Sequence, residues 1–152
     1  DPPSGPSYDR VGIAGISAMF IAPTAETRGA VRIYEPEDFR ASGDLRTYQY
    51  YQPETAGWRG DRLYTYLGSG NETGAVWVTE WASPGASDPF VSAYEELIAA
   101  RGGEAVGDQT YEFAPESGYD MALEIRTDGS QVTIVTAPTV EQLDGVHATS
   151  RP

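Results

Sequence analysis

Residues 61–82 read DRLYTYLGSGNETGAVWVTEWA, two runs of alternating character around a turn-forming connector. In the first run Leu63, Thr65 and Leu67 point one way and Tyr64 and Tyr66 the other; in the second Val76, Val78 and Glu80 oppose Trp77, Thr79 and Trp81. Period-2 alternation on both sides of a glycine-rich loop predicts a β-hairpin. MALEIRT (121–127), an Asp128–Gly129 turn and QVTIVTA (131–137) predict a second, because Asp-Gly readily adopts the positive φ of a tight hairpin turn. QTYEF (109–113) adds a further strand. An antiparallel sheet built this way needs a cover over its apolar face.

Helical patterns supply the cover. Within 83–103, Phe90, Ala93, Tyr94, Leu97 and Ile98 form an apolar stripe, Ser87 or Asp88 caps the start, Pro89 fits the first turn, and Gly102–Gly103 stops it. VGIAGISAMFIA (11–22) reads as a buried helix capped by Asp9 and ended by Pro23, with glycines 12 and 15 leaving a strand as the alternative. TVEQLDGVHA (139–148) predicts a closing helix that buries Val140, Leu143 and Val146, with Thr139 and Gln142 as a capping box. Residues 24–47 are polar and irregular, with a helical turn over 37–41, and YQYYQ (48–52) is extended. The expected fold is α+β: an antiparallel sheet of four to five strands covered on one face by helices. One domain spans 8–148, preceded by a linker-like segment (1–7, DPPSGPS) and followed by a short tail (149–152). A chain that starts in a linker is expected to be part of something longer.

Charge narrows the function classes. Twenty-three acidic residues face ten basic ones, for a net charge of −13, and every basic residue is arginine. Such a chain repels nucleic acid and anionic membranes. Arginine in place of lysine fits a GC-rich genome; acidity together with missing lysine fits a halophile better. At molar salt the Debye length falls to about 3 Å, so crowded carboxylates no longer repel. With no cysteine, disulfides and thiolate chemistry are excluded. No apolar run reaches the roughly 18 residues of a membrane span.

Several residues invite a catalytic reading. His147 is the only histidine, which rules out a zinc site with two His ligands, and no G-x-S-x-G elbow accompanies it. Glu80 lies between Trp77 and Trp81 in sequence, but alternation turns it away from both rings. Glu35, Glu37 and Asp38 cluster without a calcium-loop pattern. GSGNETG (68–74) lacks phosphate-loop spacing and reads as a turn. Arg59-Gly60-Asp61 spells an adhesion tripeptide, although a structural use is expected: Asp61 or Arg59 bonding the bend over 57–60. Trp58, Trp77 and Trp81 are expected to anchor the sheet. Asn71-Glu72-Thr73 is an N-glycosylation acceptor at the tip of the first hairpin.

AGWRGDRLYTYLG, then VWVTEW, then FVSAYEEL, with VGIAGISAMFIAPT upstream, resemble the C-terminal region of a haloarchaeal cell-surface lipoprotein family over about residues 8–147. No single motif carries the resemblance; order and spacing do. In that family the preceding part is metallopeptidase-like with a His-Glu-x-x-His helix, which this sequence lacks, so no peptidase residue carries over. The resemblance implies an extracellular, salt-adapted domain of the cell surface, without catalysis, cofactor or metal. Its expected partners are other cell-surface proteins or copies of itself, with a glycan possible, and neither nucleic acid nor a membrane span. A glycan- or small-ligand-binding module is the first alternative. An accessory domain of a surface peptidase, or a carboxylate hydrolase, is the second.

Overall fold

The computed structural model describes residues 8–26, 52–68 and 70–148, with backbone alone for 21–26. The linker-like start, the helical turn over 37–41, the acidic cluster at 35–38, most of the YQYYQ run and the tail lie outside the described residues.

Six strands form one antiparallel sheet: β1 Trp58–Leu67, β2 Thr73–Trp81, β3 Gly103–Gly107, β4 Thr110–Phe113, β5 Met121–Asp128 and β6 Gln131–Ala137, in the spatial order β1-β2-β6-β5-β4-β3. Both expected hairpins form. Leu67 pairs with Thr73 across the first, and Asp128 with Gln131 across the second, where Gly129 has φ 58°. The sheet has six strands where the sequence patterns predict four to five, and β3 is the addition. It is short and solvent-facing, so it carries no alternation to read. Gly103, expected only as a helix stop, is its first residue. A Cβ there would lie 2.5 Å from the Ile98 side chain and 2.9 Å from the Phe113 ring, so close packing demands glycine.

Helices α1 (Gly12–Glu26) and α2 (Asp88–Ala100) cover one face of the sheet. Ile16 and Phe20 from α1, with Phe90, Ala93, Leu97 and Ile98 from α2, pack on Trp77, Trp81, Phe113, Leu123, Ile125, Val132 and Ile134. The α1 helix runs through Pro23 to Glu26 and does not end there, although proline cannot donate to the carbonyl four residues earlier. Ser87 holds the cap position of α2, but its backbone is helical (φ −86°, ψ −11°) and its hydroxyl makes no capping bond.

The closing segment corrects the one-sided picture. A 3₁₀ turn, Val140–Gln142, leads into the four-residue α3, Leu143–Val146, which packs on the opposite face. There Leu143 joins Val76, Ala122, Val135 and Ala137 in a second, smaller core, with Val140 and Val146 beside it. The capping box does not form: Thr139 makes no capping bond, and the Gln142 amide donates instead to Glu72 (3.3 Å). No helix among the described residues is long and apolar enough to cross a membrane.

Candidate functional site

The Arg-Gly-Asp triplet lies in β1, with Arg59 at a bulge between Trp58 and Gly60. Leucine 63 pairs on its free edge with Asp9 through two backbone hydrogen bonds of 2.8 Å, so the entry to α1 is stitched along β1. Asp61 thus comes to lie under the first turn of α1. Its carboxylate accepts from the N–H groups of Val11 (2.7 Å) and Gly12 (2.9 Å) and from the Trp77 indole Nε1 (3.1 Å), and the residue is 7% exposed. The expected bond between Asp61 or Arg59 and the 57–60 bend is replaced by this long-range cap. Asp9, the expected cap, accepts from its neighbour Arg10 N–H (2.8 Å). A carboxylate fits the α1 N-terminus because free N–H groups and the positive end of the helix dipole both face it. Asp61 therefore joins α1, β1 and β2 through one side chain.

Trp77 and Trp81 are core residues, 5% and 2% exposed, with ring centroids 5.7 and 5.1 Å from that of Phe90. The Trp81 Nε1 donates to Thr79 Oγ1 (2.9 Å), whose hydroxyl donates to the Val132 carbonyl (3.1 Å). Burying each indole contributes several kcal/mol at about 25 cal/mol per Å². Trp58 is different. It is half-buried, packs at the margin of the same core, and its Nε1 is closed to solvent with no acceptor.

Beside Trp58 opens a cleft of about 450 Å³, bordered also by Arg10, Arg59, Arg62, Glu80 and Gln131. The three arginines are exposed, and the ion pairs among the described residues involve Arg126 instead. The Arg62 guanidinium lies 5.1 Å from the centre of the Tyr8 ring, and a side-chain hydrogen bond with Tyr64 raises its pKa above the ordinary value. Glu80 Oε1 accepts from Ser130 Oγ (2.6 Å). This gathering was missed in the sequence. Strict alternation puts Arg59 and Arg62 on opposite faces, the bulge breaks that alternation, and Arg10 arrives only through the Asp9–Leu63 pairing.

Other candidate residues fall elsewhere. Glu80 is on the face opposite Trp77 and Trp81, as alternation requires. His147 lies at the end of α3 with its Nδ1 3.3 Å from the Arg126 guanidinium, which also donates to the His147 carbonyl and bonds Glu124 and Asp144. That network ties α3 to β5. Among the described residues no three His, Asp or Glu side chains could hold a metal ion together. Asn71 is exposed in the loop between β1 and β2, with φ 65° after Gly70 at 84°. The loop is closed by Gly68 N–H to the Glu72 carbonyl (2.7 Å). Leu67 and Tyr66 beside it are 74% and 47% exposed.

The chain belongs to the family described as Domain of unknown function (DUF8575), which matches residues 3–147. No curated protein and no solved structure matches it.

Proposed function

We propose that this chain is a noncatalytic, salt-adapted domain of an extracellular protein, with a structural or protein-interaction role in the cell envelope or a surface assembly. One observation carries the reading: Asp61, the buried carboxylate of the densest motif, has both oxygens engaged by three N–H donors of the scaffold. A carboxylate that already accepts three of the roughly four hydrogen bonds open to it is committed to holding the fold together. Two of the three indoles serve the same core.

The surface assignment draws on the net charge of −13, on the haloarchaeal resemblance and on an accessible acceptor triplet, Asn71-Glu72-Thr73, at a loop tip. Leu67 and Tyr66 beside Asn71 offer apolar surface against which the first sugars of an attached glycan would lie. A second reading, a glycan- or small-ligand-binding module, is favoured by the arginine-lined cleft beside Trp58.

Cross-linking of the native protein in its natural source tests the reading. The chain has no lysine, so a carboxyl-reactive cross-linker is required. Cross-links to envelope proteins or to a second copy are expected. Recovery with intracellular enzymes alone would overturn the assignment.

A further inference from the structure

We propose that the cleft beside β1 binds an anionic saccharide, a sugar unit carrying a carboxylate or sulfate group. The inference goes beyond the scaffold role, and a purified chain can test it wherever the protein resides.

Charge is the first argument. On a chain of net charge −13, three arginines border one cleft. Two carboxylates also border it, Asp61 and Glu80. Asp61 is engaged by three N–H donors, and Glu80 holds the Ser130 hydroxyl. Three guanidiniums against two engaged carboxylates leave the cleft short of an anion. The planar guanidinium fork matches a carboxylate or sulfate group, to which it can make two parallel hydrogen bonds.

Trp58 is the second argument, independent of charge. Its Nε1–H is closed to solvent and has no acceptor, whereas the indole N–H of a buried tryptophan usually finds one. A small shift of the lining that opens this N–H to the cleft would let a ligand oxygen supply the acceptor. The indole would also give the apolar face of a sugar ring a surface to rest on. Gln131 and Glu80 complete the border with an amide and a carboxylate suited to hydroxyl groups.

Size and net charge select among anions. A volume of about 450 Å³ lies within the roughly 300–1,000 Å³ of small-ligand sites. Nucleic acid would bring a dense line of phosphates against a net charge of −13, and a cleft of this volume takes a small ligand and not a folded partner. A sugar with one or two anionic groups brings the oxyanion without that repulsion.

Isothermal titration calorimetry of the full chain, in salt that keeps it folded, tests the proposal with digalacturonate and glucose 6-sulfate. Saturable binding of at least one is expected, with no comparable binding of lactose. Arg59→Gln and Arg10→Gln should each weaken it roughly tenfold or more while thermal melts stay unchanged. Trp58→Phe keeps the ring, removes the N–H and should weaken binding several-fold. Absence of binding by both anionic sugars would overturn the proposal, as would equal binding of lactose. Inorganic sulfate binding as tightly as glucose 6-sulfate would reduce the site to a simple anion site and refute the saccharide. Tighter binding of a tetraglutamate peptide would assign the cleft to a protein partner instead.

Discussion

Replacing Asp61 by alanine removes the acceptor for three donors at once. The Trp77 indole N–H is buried, and leaving it unpaired costs about 1–3 kcal/mol. Val11 and Gly12 N–H are only partly buried, so water reaches them in part and the loss resembles that of a helix cap, about 0.5–2 kcal/mol. Asp61→Ala is therefore expected to destabilise the fold by about 1.5–5 kcal/mol, a large share of the roughly 5–15 kcal/mol of a typical domain. Asp61→Asn keeps one oxygen, which can still serve Val11 and Trp77, but loses the bond to Gly12 and the charge facing the helix dipole; about 1–2 kcal/mol is expected. Asp9→Ala, at the residue that local sequence nominates as the cap, should cost less than about 0.5 kcal/mol. Urea unfolding at constant salt, followed by tryptophan fluorescence, measures all three. Asp61→Ala within about 1 kcal/mol of wild type, or Asp9→Ala as costly as Asp61→Ala, would refute the long-range cap.

Trp81→Ala should cost about 3–5 kcal/mol by opening a cavity against Phe90 and leaving Thr79 Oγ1 without its indole donor; denaturant midpoints check it, and a loss below about 1 kcal/mol would remove Trp81 from the core. The melting temperature should rise with sodium chloride, because carboxylates on a chain of net charge −13 repel over about 30 Å at 0.01 M salt but about 3 Å at 1 M; a flat series would refute salt adaptation. Burial pushes the Tyr94 hydroxyl up to about 12 from 10.0. The folded state thus holds this proton more tightly than the unfolded chain. Its stabilising contribution is whole below pH 10.0 and disappears as pH rises towards about 12. Alkaline unfolding should be shallower in Tyr94→Phe, and an unchanged profile would refute the burial effect.

Local signals carried the hairpins and α2. Alternation in 61–67 and 75–82 reports which side chains meet the core because each strand residue's face is set by its neighbours, and the stripe from Phe90 to Ile98 works the same way for a helix. What failed was non-local or lacked a side-chain pattern. Glycine-flanked β3 has no buried alternation to read. Asp61 finds its partners 49 and 50 positions away, so a nearby aspartate looked like the better cap. The α3 segment was legible as apolar, but its face depends on the path of the chain after β6. The arginine cleft required both a bulge and the Asp9–Leu63 pairing, neither of which residues 57–62 announce.

The central claim is that this domain faces the outside of the cell, and Asn71 tests it most directly. Cleavage after arginine alone gives a peptide spanning residues 63–101, which contains Asn71. Mass spectrometry of that peptide from the native source should find a fraction heavier by a glycan on Asn71, and none in material made without a glycosylation system. A native peptide found wholly unmodified would contradict the account.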